Sequence, residues 1–316
     1  MIICLKWDFM ATNKKNDQPG FLKEGGWIPI KTGFPINMMA SIESGQPLTF
    51  HSVYKINDGM AHVSYVTRKG AIEIQYPEGN PVTALRYRHH GDYTAASAGL
   101  EVRKRLGLDD DMALIYKRIN TDKHMNDAIR EHYGMRVTEN EPWETTLCFV
   151  ISQFNNIKRT ERIVRNLVNR YGREMETAQH LTRLFPDPET IANASVEELR
   201  ECGLGFRAKY IKSIATAVSG GMDLGSLGKM DYREAKDALM KMDGIGDKVA
   251  DCILLMGYKK LDAFPIDVWV KRAMENLYFD GKRKSLKEIH DFAYNKWGGY
   301  AGYAQQYLFH NARLKG

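Results

Sequence analysis

The sequence of 316 residues has no apolar run close to the roughly 18 residues that a membrane-spanning helix needs. Its first ten residues, MIICLKWDFM, include charges at Lys6 and Asp8, which is too early for the apolar stretch of a secretory signal peptide. A membrane protein and a secreted protein are therefore not expected. We predict a cytoplasmic protein with no membrane partner.

Cysteine is scarce and scattered, since the four residues stand at positions 4, 148, 202 and 252 and no two share a C-x2-C spacing. This spacing suggests neither a structural zinc site nor an iron–sulfur cluster. A disulfide framework is not expected in a chain of this length. We predict no metal site and no cofactor.

A strong charge excess is also absent, because 45 lysines and arginines face 39 aspartates and glutamates, a net charge of +6. A modest basic excess is compatible with a polyanionic partner, but it is also common among proteins that bind no nucleic acid. The apolar fraction of 43% is ordinary for a folded protein. The function must therefore be sought in motifs.

Changes in residue pattern divide the chain into three parts. Residues 1–30 form a polar, glycine-containing segment that need not be ordered. Residues 31–135 begin with short β-branched and aromatic segments between turn signals, LTFHSVYKI, MAHVSYVTR and AIEIQY, which predict an antiparallel sheet. After YPEGNP the pattern is helical throughout, and residues 136–316 are predicted to be all helical. The predicted fold is α+β, with the small N-terminal sheet domain packed on a larger helical domain.

The stretch MDGIGDKVADCILLMG, residues 242–257, joins two helical patterns through a turn that only glycine tolerates well. This helix–hairpin–helix arrangement places the backbone N–H groups of Gly244, Gly246 and the next helical turn side by side. Such a cluster suits a phosphate group. Glycine turns between helices are common, so the hairpin alone favours DNA backbone binding only slightly over a purely structural turn.

Lys248 follows the hairpin at a helix start, where its charge opposes the helix dipole. Contact with a phosphate explains the lysine, and so does a role as a nucleophile. Asp267, in AFPIDVWVKR, stands at the N-cap position of a later helix, and capping alone would explain it. An amine and a carboxylate at two helix starts also suit cleavage of a glycosidic bond, because the anion stabilises a sugar cation that the amine captures.

Three motifs in this order, GIGDKVADCILLMG, AFPIDVWVKR and YAGYAQQYLF, resemble the 8-oxoguanine DNA glycosylase family of the helix–hairpin–helix glycosylase superfamily. The resemblance covers roughly residues 36–314 and is weakest over the first ninety. It implies a bifunctional glycosylase and AP lyase that flips 8-oxoguanine out of double-stranded DNA and acts as a monomer without a cofactor. Its location would then be the nucleoid of a bacterium or a eukaryotic nucleus.

The resemblance assigns the catalytic groups and one discriminating contact. Lys248 would form a Schiff base at C1′, followed by β-elimination, and Asp267 would stabilise the developing sugar cation. ESGQP resembles the segment whose glycine carbonyl, here that of Gly45, faces N7 of the base. N7 carries a hydrogen in 8-oxoguanine but not in guanine, so a buried acceptor would reject guanine. Without the resemblance, the sequence around Gly45 would indicate only an ordinary turn glycine.

The resemblance also implies a pocket for the extruded base. Cys252 and Phe309 would sandwich the base, and Gln305 would read its Watson–Crick edge. Cys252 and Phe309 would be equally at home in a helical core.

A further set of residues would contact DNA. GLGFRAKY implies that Phe206 wedges into the base stack and that Arg207 contacts the orphaned base, and SQFNNIKRT implies that Arg159 reads an opposite cytosine. A solvated arginine explains either guanidinium as well. Two positions depart from the family. Phe154 replaces an asparagine that fills the vacated position, which puts strict cytosine preference in doubt, and Trp269 replaces a phosphate-contacting histidine and cannot become charged.

Two rival functions stay open at this point. The first is a non-catalytic helix–hairpin–helix DNA-binding protein in which Lys248 only contacts phosphates. The second is a helix–hairpin–helix glycosylase for another oxidised base. The lack of a four-cysteine cluster near the C-terminus argues against the oxidised-pyrimidine branch, and Lys248 argues against the branches for alkylated bases. Gly45, Gln305 and Phe309 together favour 8-oxoguanine.

Overall fold

The structure, a computed structural model, describes residues 26–46, 50–55, 59–176 and 181–315, with only the backbone of 50–55 and of 181. Most of the polar segment 1–30, with Cys4, lies outside the described residues. None of the helices in the described part is long and apolar enough to cross a membrane.

The N-terminal part is a five-stranded sheet with the strand order β1-β5-β4-β3-β2, and every neighbouring pair is antiparallel. The strands are β1 (Ile28–Ile36), β2 (Phe50–Lys55), β3 (Met60–Val66), β4 (Gly70–Pro77) and β5 (Val82–Gly91). The predicted antiparallel sheet is confirmed.

The expectation of helices alone after YPEGNP was wrong, because β5 follows that turn. Its buried residues Leu85 and Tyr87 alternate with Arg86 and Arg88, and Arg88 is also buried, since it pairs with an acid on β4. Because Arg88 is charged but buried, the sequence of β5 does not show the simple alternation that predicts a strand. The first strand also begins inside the segment 1–30.

Helices make up most of the remaining chain. The first six are α1 (Met38–Glu43), α2 (Ala95–Arg105), α3 (Met112–Ile119), α4 (Lys123–Glu131), α5 (Pro142–Ser152) and α6 (Ile157–Tyr171). A short hairpin follows, formed by β6 (Glu174–Glu176) and β7 (Leu181–Arg183), which the sequence did not predict. The later helices are α7 (Pro188–Asn193), α8 (Val196–Leu199), α9 (Arg207–Ser219), α10 (Tyr232–Met240), α11 (Asp247–Tyr258), α12 (Val268–Tyr278), α13 (Leu286–Trp297) and α14 (Ala301–Lys315).

Two hydrophobic cores support the predicted α+β fold. In the first, the sheet packs on α2 through residues such as Tyr65, Ile74 and Val102. The second lies among the helices and surrounds α11, in which residues 249–257 are all buried. The larger core therefore fixes the helix that follows the glycine hairpin.

The segment after α1 ties the sheet to the helices. Gln46 donates from Nε2 to the carbonyl of Arg136 at 2.8 Å and accepts from the backbone N–H of Thr138 at 2.6 Å. On its other side, Gln306 of α14 donates to the carbonyl of Ser44 at 2.7 Å. These bonds hold the turn at Gly45 between the two parts of the chain. The domain boundary near residue 135 stays a prediction.

A buried carboxylate organises the polar face of the sheet. Glu73 lies 2.8 Å from Arg88, 2.6 Å from His90 and 3.0 Å from His62, measured between side-chain oxygen and nitrogen atoms. Burial alone would raise the pKa of Glu73, but hydrogen bonds from the two histidines and Arg88 outweigh it, so the pKa lies well below its usual range.

This low pKa predicts a pH-dependent contribution to stability. We expect Glu73→Gln to lower the free energy of unfolding by about 3 kcal/mol at pH 7, because the buried arginine loses its counter-charge. Stability from a depressed carboxyl pKa is complete above the unfolded pKa of about 4.3 and is lost as the pH falls below it. Urea unfolding at pH 7, 5 and 3.5 should therefore show the difference shrinking only at the lowest pH. Glu78→Gln, at an exposed turn of the sheet, is the control, and a pH-independent difference would contradict the assignment.

Candidate active site at two helix starts

The two hairpin glycines serve different purposes. Gly244 has φ +77°, and a Cβ there would lie 2.4 Å from the ring of Tyr210, so the close approach of the ring requires glycine. Gly246 is the N-cap of α11 with φ −95°, and nothing lies within 4 Å of the place of its Cβ. Ile245 between them is buried. The hairpin therefore packs through one glycine and leaves the backbone open at the other.

Lys248 and Asp267 line the same cavity, which has a volume of about 150 Å³. Gly45 and Phe309 line it as well. The remaining lining residues were not singled out from the sequence, although several belong to the quoted motif SQFNNIKRT; they are Gln46, Cys148, Phe149, Ser152, Asn155, Ile157 and Thr160.

The ring of Phe309 partly closes this cavity. A Cβ at Gly45 would lie 2.9 Å from Phe309 Cε1, so the ring lies directly against the glycine. A cavity of about 150 Å³ is comparable to one that accepts benzene. A two-ring base would require the Phe309 ring to turn away from Gly45.

Lys248 is half-buried at the first turn of α11, with Nζ 5.6 Å from the centre of the Phe149 ring. It also lies close to the thiol of Cys252, one helical turn later. Burial raises the pKa of Cys252 to about 11, and the nearby Lys248 charge only partly opposes this. Cys252 is therefore a neutral thiol at physiological pH, and it does not itself line the cavity.

Asp267 caps α12, as the sequence predicts. Its Oδ1 accepts a hydrogen bond from the backbone N–H of Val270 at 2.8 Å. Within the described part of the chain, Oδ2 accepts no hydrogen bond. One carboxylate oxygen thus fixes the side chain, and the other stays available beside the cavity.

Gln305 lies one turn before Phe309 on α14 but does not line the cavity. It is 4% exposed, and its Oε1 has no hydrogen-bond partner among the described residues. The neighbouring Gln306 instead anchors the segment at Ser44. Among the predicted base-recognition residues, Gly45 and Phe309 therefore line the cavity, whereas Cys252 and Gln305 do not.

The predicted DNA-contacting side chains lie at different depths. Phe154 is 92% exposed and Phe206 is 50% exposed, with ring centres 6.2 Å apart. Arg159 is exposed in the first turn of α6, and Trp269 is partly exposed in the first turn of α12. Arg207 differs from the expectation of a base contact, because it is buried and its guanidinium donates to backbone carbonyls.

A basic surface surrounds the first turn of α6. A second cavity of about 500 Å³ lies there, lined by Lys158, Arg159 and Arg162 together with Asn156. Guanidinium and ammonium groups in such numbers suit a phosphate backbone.

A cluster of charges fixes the start of α11. Lys236 Nζ lies 2.8 Å from Asp247 and 2.9 Å from the fully buried Asp251. Asp247, Asp251 and His290 place their ligand atoms within 4.8 Å of one another, a spacing that could hold a metal ion. The ammonium of Lys236 already balances part of the acidic charge, which disfavours a cation there.

The fold and the geometry of the cavity indicate the class of protein to which this chain belongs. Residues 147–297 match the family model of HhH-GPD superfamily base excision DNA repair proteins. That range contains the hairpin, Lys248 and Asp267.

Individual relatives narrow the class. The chain is 30% identical over 297 residues to the N-glycosylase/DNA lyase OGG1 of Arabidopsis thaliana, covering 90% of this chain and 79% of that one. It is 28% identical over 257 residues to a probable N-glycosylase/DNA lyase of Methanothermobacter thermautotrophicus, covering 75% and 82%. The chain belongs to the 8-oxoguanine DNA glycosylase family.

Solved structures agree with this membership. The structure of MBOgg1 in complex with a low-affinity DNA ligand matches with a TM-score of 0.82 at 30% identity, over 93% of this chain and 97% of that one. The 8-oxoguanine glycosylase/lyase of Clostridium acetobutylicum, in complex with double-stranded DNA containing cytosine opposite 8-oxoG, matches with a TM-score of 0.79 at 25% identity, over 91% and 98%.

The hairpin geometry predicts unequal effects of two similar substitutions. We expect Gly244→Ala to lower the free energy of unfolding by at least about 2 kcal/mol, because the left-handed backbone is strained and the Tyr210 ring must move. Gly246→Ala should stay within about 1 kcal/mol, since it changes only an exposed cap. Urea unfolding of both variants measures these changes. Equal losses in the free energy of unfolding would show that Tyr210 does not set the requirement for glycine at position 244.

Proposed function

We propose that this protein is a bifunctional DNA glycosylase and AP lyase that excises 8-oxoguanine from duplex DNA. The observation that carries the proposal is the meeting of Lys248 and Asp267 at one cavity that Gly45 and Phe309 also line. The amine and the carboxylate come from separate helix starts, so their convergence is a property of the fold. Family membership and the names of the relatives support the substrate.

The chemistry uses the two groups in sequence. As the bond between C1′ and N9 breaks, its electron pair leaves with the base, and Asp267 stabilises the positive charge on the sugar. The lone pair of a neutral Lys248 amine then forms a bond to C1′, and opening of the sugar gives an imine. Loss of a proton from C2′ expels the 3′ phosphate, which is the lyase step.

The substrate would be distinguished at the Gly45 turn. A glycine carbonyl facing N7 accepts a hydrogen bond from 8-oxoguanine and repels the lone pair of guanine. Gln46 and Gln306 hold the turn on both sides, so the acceptor could not move away from the wrong base. The unpaired Oε1 of Gln305 supports a polar partner close to Phe309.

The DNA-binding surface, the oligomeric state and the location of the protein follow from duplex DNA as the partner. Duplex DNA would lie against Gly244, Gly246 and the basic first turn of α6, while the pocket takes the extruded base. The protein would act as a monomer wherever the genome resides, either in a bacterial cell with its nucleoid or in a nucleus. A helix–hairpin–helix glycosylase for another oxidised base and a non-catalytic DNA-binding protein are the alternatives that the first experiment separates.

Borohydride reduction tests the nucleophile and the substrate together. We expect a covalent complex with duplexes that contain 8-oxoguanine, because the reagent reduces the imine at Lys248. Lys248→Gln should give no complex while binding the same duplex. Trapping only on duplexes with thymine glycol would overturn the assignment of 8-oxoguanine as the substrate. Binding without any trapping would favour the non-catalytic alternative.

A conservative change at Asp267 separates its two roles. Asparagine caps a helix as well as aspartate does, so Asp267→Asn should leave the free energy of unfolding within about 0.5 kcal/mol of the original. Loss of the negative charge should slow base release by about a hundredfold or more under single-turnover conditions. Asp267→Ala, which removes the cap as well, is the matched comparison. Unchanged excision by the asparagine variant would reduce Asp267 to a cap.

A further inference from the structure

We propose that Arg207 is a positioning residue that holds Phe154 as a rigid aromatic wedge, and that the wedge fills the gap in the duplex by stacking without reading the orphaned base. This inference rests on the proposed function, because it takes damaged duplex DNA as the partner. It concerns residues outside the cavity and assigns to Arg207 a role other than base contact.

Phe154 combines two unfavourable features. Its backbone has φ +52°, a left-handed conformation that bulky residues rarely adopt. Its side chain is 92% exposed, so the ring gains almost nothing from the core. Strain and exposure at one residue indicate that its position serves a partner.

The backbone before Phe154 is held by Arg207. This arginine is 4% exposed, and its Nε donates to the carbonyl of Gln153 at 2.8 Å, with Nη2 donating to the same oxygen. Nη1 donates to the carbonyl of Leu204 at 3.3 Å. The guanidinium also lies 4.4 Å from the centre of the Phe206 ring. One buried cation therefore fixes the turn that carries Phe154 and supports the second aromatic ring.

The same turn is joined to the hairpin. The side chain of Gln153 donates to the carbonyl of Gly244 at 2.9 Å and to that of Val150 at 3.1 Å. Tyr210, whose ring lies against Gly244, makes an edge-to-face contact with Phe206 at 6.1 Å. The wedge and the phosphate-binding hairpin thus keep a fixed spacing, as a duplex with regular phosphates requires.

The surroundings of the wedge match duplex DNA as the partner. Phe154 and Phe206 form an edge-to-face pair at 61°, and neither ring carries a hydrogen-bond donor. The exposed cations Lys158, Arg159 and Arg162 flank the pair on the first turns of α6. Stacking on an aromatic ring tolerates any base. The base opposite the lesion is therefore held mainly by stacking, and any preference among bases falls to Arg159.

Binding to an uncleavable abasic duplex tests this proposal without requiring catalysis. The probe is a tetrahydrofuran site opposite each of the four bases in turn, with 2-aminopurine beside it to report unstacking. We expect Phe154→Ala to weaken binding about tenfold and to abolish the 2-aminopurine signal change. Arg207→Ala should do the same, by a similar factor for all four opposite bases.

A double-mutant cycle distinguishes positioning from an independent contact. If Arg207 acts through Phe154, the double variant should bind no more weakly than either single variant by more than about twofold. Arg207→Lys, which can still donate to one carbonyl, should recover part of the signal. Additive losses, or a loss with Arg207→Ala confined to duplexes with cytosine, would overturn the proposal.

Two controls separate this result from other failures. Thermal melting shows whether Arg207→Ala is folded, and if it is not, the exposed Phe154→Ala and Arg207→Lys variants decide the matter through the 2-aminopurine signal alone. Excision of 8-oxoguanine by the unmodified protein is measured separately. A wedge signal without excision would overturn the proposed function but leave the wedge standing, and excision without a wedge signal would do the reverse.

Discussion

Burial of α11 beyond its first turn is the constraint on which the candidate site depends. Residues 249–257 are all buried, so the helix can neither rotate nor slide without opening the larger core. Lys236 pairs with Asp247 and Asp251 at the start of the helix and fixes its first turn as well. Lys248 is therefore placed by its neighbours on both sides, and its amine has little freedom apart from its own side-chain rotations.

The opposite wall of the cavity has a different origin. Gly45 belongs to the segment that follows α1, more than two hundred residues before Phe309 in the sequence. Gln46 and Gln306 connect this segment to the helical part through buried hydrogen bonds. Buried amides with these bonds satisfied are costly to displace. The small sheet domain consequently contributes a rigid wall of the cavity, although its own core lies elsewhere.

Local signals were sufficient for the elements nearest to the site. The glycine hairpin and the cap at Asp267 both form as the sequence predicts, because each depends on residues close together in the chain. Convergence of Lys248 and Asp267 at one cavity needed the resemblance as well, since nothing local brings two helix starts together.

The features that could not be predicted from the sequence depend on residues far apart in the chain. β5 was missed because Arg88 is buried only through its pairing with Glu73, which a period of alternating residues cannot reveal. The sequence could not reveal that Arg207 is buried, because its partner is a backbone carbonyl and any residue could supply that carbonyl. Phe149 and Thr160 gave no signal as cavity residues either. Their apolar or small side chains are typical of a helical core.

Capping and the proposed catalytic role need not compete at Asp267. A carboxylate free to rotate would spend much of its time away from the sugar, and ordering it during the reaction would raise the barrier. The hydrogen bond from the Val270 N–H orders it in advance and leaves Oδ2 uncommitted within the described chain. The purely structural explanation of this aspartate, a helix cap, is therefore a physical precondition for the catalytic one, and evidence for the first does not count against the second.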